Sequence, residues 1–449
     1  MEGKKRVRDL LITALVFGSL LLIIRKPYIG ILVWSWLSYM NPHRLSWGFA
    51  YSMPFAQIVA VTLFAAILFS KDRKSIPVNG TTMVWGIFIL WMGFATIFAI
   101  HSGDANTEYF RILKIQLMTF LTILLITDQE RLNHLIWVIV LSIGFFSIKG
   151  GVFTILSGGG HIVWGPADSF IEDNNSLALA TLMILPLMFY LYKITDKPWV
   201  KYFLLFSMVS SLASAVGSQS RGALLAIIAV SGFFWLKSSN KLITGLLGVV
   251  IMIIGLGFMP ESWFDRMSTI QTYEQDASAM GRINAWEYSI NIANARLTGG
   301  GLNSWSISTF ALYAPNPLDV HAAHSIYFSV LADHGWPGLV LFLLILLLTW
   351  KTLSKVIKRT ALDHDKQQTN MLARMIQVSL VAYMTGGAFL SLSYFDLPWH
   401  LIGFAVILYR FLDESGGTDE KQRDSSSAIG LEPSNVKLAD HGSRAHANE

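Results

Sequence analysis

Apolar residues in this chain come in repeated, separated blocks of about 15 to 25 residues, and that pattern restricts the fold more than any other feature. Backbone amides in hydrocarbon must find partners within the protein, so only helices and closed barrels can span a bilayer. The blocks are too long and too continuous for the alternating strands of a barrel. The expectation is an all-α polytopic membrane protein. Candidate spans are 10–24, 28–40, 54–69, 82–100, 110–126, 131–156, 176–192, 199–216, 222–236, 241–258, 325–350, 371–390 and 397–412. Of 449 residues, 53% are hydrophobic and only 14% charged, in keeping with that class. The net charge of +5 does not indicate nucleic acid, because the basic residues cluster in short connections between spans.

Those connections set an orientation. Lys71 to Lys74, Lys193 to Lys201, Lys237 to Lys241 and above all Lys351 to Arg374 are expected to face the cytoplasm. The intervening connections, including the long one, are then external. Thirteen crossings would place Lys4, Lys5, Arg6 and Arg8 outside, against the charge rule, so about 12 transmembrane helices (11–13) are expected. The pair 10–24 and 28–40 is the weak point. The opening segment has Arg25, Lys26 and Pro27 after its apolar run instead of a small-residue cleavage site, so it reads as a retained anchor. Four regions follow: a multi-span bundle over 1–258, an external loop over 259–324, further spans over 325–412, and a polar tail over 413–449 expected to be disordered. With no cysteine, disulfide and thiolate chemistry are excluded.

Chemistry is expected in the mostly polar stretch from Glu261 to His324. It carries three arginines against six carboxylates and so lacks a cytoplasmic signature. Ile283, Trp286, Ile290 and Ala293 recur at helical spacing and predict a helix over Ser278–Arg296, lying on the membrane or on the bundle. Arg282 and Arg296 would stand about 21 Å apart along it, too far to clamp one small anion. Gly299, Gly300 and Gly301 then permit a tight, backbone-exposed turn. The loop reads as a small folded cap.

His321 and His324 close the loop, in the run His-Ala-Ala-His-Ser-Ile-Tyr. On a helix that spacing puts both imidazoles on one side at the water interface. A proton-accepting base, a zinc ligand and a plain interfacial cap are all open readings, although zinc needs a third protein ligand and only Asp319 is nearby. Arg221 follows Ser218-Gln219-Ser220 at the mouth of a span, where a guanidinium needs an anion or carbonyls; it reads as an anion ligand or as a snorkelling arginine. Arg282 is a second cation on the same side, or part of a solvated helix face. Arg111 and Lys114 are weaker candidates for the same anion. Lys149 lies within an apolar segment and needs a partner, for which Glu172 or Asp173 is suited; such pairs are commonly structural. Trp34, Trp36, Trp164, Trp305, Trp336 and Trp399 fit an interfacial belt.

Several spans, an arginine in Ser-Gln-Ser-Arg-Gly, a long loop with Gly281-Arg282 and Leu297-Thr298-Gly299-Gly300-Gly301, and His-Ala-Ala-His before Ser325 together resemble the bacterial O-antigen ligase and polymerase superfamily. The resemblance covers about residues 200–350. The segment from Lys26 to Arg44 and the run Ile171-Glu-Asp-Asn-Asn175 are similar to the branch described as O-glycosylation ligases associated with exosortase A systems. The resemblance implies an inner-membrane glycosyltransferase that moves a glycan from an undecaprenyl diphosphate carrier to an acceptor on the periplasmic side. The acceptor is a glycan, lipid or protein; no nucleotide sugar, metal or other cofactor is implied. By motif position, Arg221 and Arg282 engage the diphosphate and His324 serves the acceptor. The family pattern commonly has His-x-His-Asn, whereas two alanines separate the histidines here and Ser325 stands where asparagine is usual, so His321 competes for that role. A transporter or flippase of the same lipid-linked glycan, or a non-catalytic scaffold of an export complex, is the alternative.

Overall fold

The computed structural model describes residues 2–71, 75–237, 240–268, 277–390 and 392–429. Among these residues the regular structure is entirely helical. The first ten helices are α1 (Glu2–Arg25), α2 (Tyr28–Met40), α3 (Phe55–Phe69), α4 (Gly80–Ile97), α5 (Ser102–Leu125), α6 (Gln129–Leu156), α7 (Asn174–Ile194), α8 (Pro198–Gly217), α9 (Arg221–Lys237) and α10 (Lys241–Gly257). The long loop holds α11 (Glu261–Ser268), α12 (Ala277–Ala295) and α13 (Ile307–Tyr313). The chain ends with α14 (Ile326–Arg359), α15 (Gln367–Gly386) and α16 (Asp396–Ile429). Each expected span is a helix. Six are long and apolar enough to cross a membrane: Val7–Arg25, Gly80–Ile97, Gln129–Leu156, Asn174–Ile194, Pro198–Gly217 and Ile326–Arg359; Tyr28–Met40, Phe55–Phe69, Arg221–Leu236 and Lys241–Val250 are apolar but shorter. Leu21, Leu68, Phe69 and Leu90 stand on the outside, as lipid-facing positions require. The last helix continues to Ile429, where disorder is expected from 413; residues 430–449 lie outside the described residues.

Local chemistry starts and joins these helices. Asn79 opens α4 in a reciprocal capping pair with Thr82, Asp128 caps α6 through the Arg131 amide, and Asp173 caps α7 through the amides of Asn175 and Ser176. Small residues bring α6 and α8 together: Gly150 and Gly151 face Ser214 and the Ser210 backbone, and Ser147 and Ser211 share a 2.7 Å hydrogen bond. In a bilayer, where lipid is as apolar as leucine, such close approach is what drives helix association.

The start of α1 lies against the connection that follows α2. Arg8 donates to the Leu45 carbonyl at 2.7 Å and Asp9 accepts from the Ala50 amide at 3.1 Å, so α1 begins beside the connection that follows α2. That connection meets the one after α6, where Tyr51 donates to Asp168 at 2.7 Å. The short turn at Lys26–Pro27 makes α1 and α2 a hairpin, which returns the basic start to the end of the bundle that carries the cap.

The expected turn is present over residues 297–300, but the three glycines after α12 are buried rather than exposed. Gly300 and Gly301 donate to the carbonyls of Ala332 (2.8 Å) and Asp333 (3.2 Å), which a break in α14 at Gly335 (φ 66°) leaves available. A Cβ at Gly299 would strike the Ala332 carbonyl, and Gly299 itself has φ 64°. Gly299→Ala should therefore destabilise the protein by about 2 to 5 kcal/mol, the sum of left-handed strain and overpacking. Thermal unfolding in detergent checks this, and an unchanged midpoint would contradict it.

Candidate functional site

The loop folds onto the bundle through a core of Ala285, Tyr288, Ile292, Phe310 and Ala332, so α12 and α13 bury their apolar faces against α14. The faces of α12 divide by task. Asn284 donates to the carbonyls of Asn316 and Asp319, both at 2.9 Å, and accepts from the Asn316 amide at 2.8 Å. Trp286 donates to the Ala323 carbonyl at 2.8 Å. These bonds draw the irregular stretch before α14 alongside α12.

The two histidines do not share a helical face as expected. Residues 321–324 are irregular, and α14 begins only at Ile326. His324 sits in the left-handed region with φ 45°, a conformation that non-glycine residues adopt at a cost and that recurs at functional sites. His321 is exposed, pairs through Nδ1 with Asp319 at 2.6 Å, and lies flat over Gly281, where a Cβ would come within 2.9 Å of the ring. Glycine at 281 is what lets the imidazole rest on α12 beside Arg282.

His324 is half-buried, and the charges that act on it identify its surroundings. Burial holds its imidazole below the ordinary histidine range; the Arg282 guanidinium and His321 push the same way, and Asp173 opposes them. The structure therefore brings His324, His321, Arg282 and Asp173 together. It also links them to Arg221. Asn174, next to Asp173, donates to the Ser218 carbonyl at 2.7 Å, and Gln219 (φ 55°) donates to Gly159 at 3.3 Å. Ser220 then caps α9 through the Ala223 amide, and Arg221 is the first residue of that helix. A second link runs through the short turn Gly387–Phe389: Gly222 packs on Phe389, and Gly387 packs on Ile326, two residues beyond His324. The N-termini of α9 and α14 thus open at the same end of the bundle. Each helix N-terminus carries partial positive charge, a setting suited to an anion.

The second-tier residues separate. Asp173 belongs to the corner, though its carboxylate is engaged in capping α7. Lys149 instead lines an apolar groove of about 360 Å³ between α6, α7 and α8, with Val140, Phe145, Met188 and Phe203 among its walls. Among the described residues neither Asp173 nor Glu172 forms an ion pair with Lys149; Glu172 accepts from the Asp168 amide. Arg111 pairs with Glu108, its Nε at 3.1 Å, and lies over the Phe170 ring at 4.6 Å; its field reaches Asp396 and not His324. Among the described residues no cluster of three or more His, Cys, Asp or Glu side chains could hold a metal ion.

Sequence reasoning missed two features. Asn174, Asn284 and Trp286 position the corner, and nothing in single-sequence spacing marks long-range hydrogen bonds of this kind. Inside α14, Asp333 and His334 are buried, and Tyr394 donates to Asp333 at 3.1 Å. Here a signal was present: an adjacent acid and imidazole in an apolar span are rare and mark a specialised place.

Residues 7–196 match a family model described as a family of unknown function (DUF5935). No curated protein matches the chain significantly. Residues 206–343, the segment that contributes Arg221, Arg282, His321 and His324, match the family model described as O-Antigen ligase, which supports a place in the O-antigen ligase superfamily and a membrane protein of the ligase-like, glycan-transferring kind.

Proposed function

We propose that this protein is a glycosyltransferase of the bacterial inner membrane. It moves a glycan from an undecaprenyl diphosphate carrier to an acceptor hydroxyl on a glycan, lipid or protein. The cap end faces the periplasm and the lysine-rich end the cytoplasm. What supports the reading is that Arg282 acts on His324, and that Asn174, next to Asp173, holds the turn before Arg221, within the segment similar to O-antigen ligases. The setting we propose is surface-glycan or exopolysaccharide assembly, with proteins of an exosortase system as partners; it rests on the resemblance of Lys26–Arg44 and Ile171–Asn175 alone.

The chemistry follows from the charges. When the bond between the sugar and the diphosphate breaks, negative charge grows on the departing oxygens. Arg221 and Arg282 stabilise that charge without a metal, and arginine forks match phosphate oxygens in geometry. His324 accepts the proton of the attacking hydroxyl, a task that requires a neutral imidazole, and its lowered pKa keeps it neutral at physiological pH. A single displacement inverts the anomeric centre. His321, exposed and paired with Asp319, orients the acceptor side.

Purified protein in vesicles, supplied with lipid-linked glycan and candidate acceptors, tests the reading. Glycan should appear on an acceptor with release of the diphosphate carrier. Movement of the lipid-linked glycan between leaflets without transfer would identify a transporter instead. Neither transfer nor movement, with glycan assembly in cells unaffected by Arg221, Arg282 and His324 variants, would identify a scaffold.

A further inference from the structure

His324 holds a backbone conformation that L residues avoid, so something must keep it there. The peptide that joins Ala323 to His324 fixes the plane from which the φ rotation of His324 is measured. Among the described residues one side chain bonds that peptide: Trp286, whose Nε1 donates to the Ala323 carbonyl at 2.8 Å. Ala323 is fully buried, and the indole is itself held by stacking on Phe328, with centroids 5.0 Å apart and planes at 13°. Trp286 lies four residues after Arg282 on α12, so the two share a helix face. On the other side of His324, Ser393 donates to the Ile326 carbonyl at 3.1 Å and anchors the start of α14.

We infer that Trp286 is a positioning residue for glycan transfer, its indole N–H locking the Ala323–His324 peptide so that the imidazole stays beside Arg282. This rests on the proposed function. The bond ties the helix that carries the candidate diphosphate ligand directly to the residue before the candidate base. It sets their separation more tightly than the apolar packing of the cap does, because a hydrogen bond fixes direction as well as distance.

Trp286→Phe keeps the stacked ring and removes the donor. Transfer by the purified, reconstituted variant should fall about tenfold or more in kcat, since a small misplacement of a reacting group is expensive, while donor and acceptor KM stay within about twofold. The acid limb of the pH profile should move to higher pH, because an imidazole that drifts from Arg282 regains basicity. Trp336→Phe is the control: it removes the 2.9 Å indole bond to Asn294 near the other end of α12 and should leave the pH profile in place. If Trp286→Phe fails to fold, benzothienylalanine at position 286 replaces N–H by sulfur in a ring of the same shape and makes the same comparison. Wild-type kcat and pH profile in either variant, with His324→Ala inactive, would overturn the role of Trp286 and leave the proposed function standing. Full activity in His324→Ala would remove the proposed function itself.

Discussion

His324→Ala is expected to lower the rate of glycan transfer by about 10²- to 10⁴-fold, the usual contribution of a positioned general base, with little change in donor binding. The expectation follows from burial and charge together. A half-buried imidazole beside a guanidinium is held neutral, and a neutral imidazole has a free nitrogen lone pair with which to take a proton. His321→Ala is the informative partner. His321 is exposed and already pairs with Asp319, so its loss should cost no more than about tenfold. Steady-state rates on reconstituted protein decide the matter, and equal losses at the two positions would count against His324 as the base.

Arg282→Gln should reduce transfer by about 10²- to 10³-fold, as loss of a charged donor aimed at a developing oxyanion does. It carries a second signature with a definite sign. Arg282 holds the His324 imidazole down, so its removal raises that group. The base is then protonated at higher pH, and the acid limb of the rate profile moves to higher pH than in the wild type. Arg221→Gln should show a loss of the same order. An Arg282→Gln profile with an unmoved acid limb would mean that the two side chains do not act on one another in the working enzyme.

The sequence pattern predicted much of this fold and less of its corner. Apolar blocks bound helices well: 28–40 is α2 to the residue, and the spacing of Ile283, Trp286, Ile290 and Ala293 marks α12 within one residue at each end. Helix ends outside the apolar windows were invisible, as in α14, which runs through charged residues to Arg359. The histidine pair shows why local spacing misleads. Three-residue spacing reads as one face of a helix, but Pro315 and Pro317 upstream and the bonds from Asn284 and Trp286 hold the run irregular, and tertiary contact overrides periodicity. The place of the start of α1 beside the connection after α2 was illegible for a related reason: a hairpin closed by Lys26–Pro27 fixes where the chain returns, whatever its charge. The links that tie the Arg221 turn to the end of the bundle where α14 begins, Asn174 to Ser218 and Gly387 to Ile326, join pairs about 40 and 60 residues apart, and no window along the chain contains them.

The most direct measurement is a single turnover of lipid-linked glycan on purified wild type, Arg221→Gln, Arg282→Gln and His324→Ala, following carrier diphosphate and glycosylated acceptor together. One carrier should be released for each glycan attached in the wild type, with both signals slowed in parallel in all three variants. Attachment at the wild-type rate in the three variants, or carrier diphosphate that never appears while glycan is attached, would contradict a cationic corner and an imidazole acting on one diphosphate-linked donor.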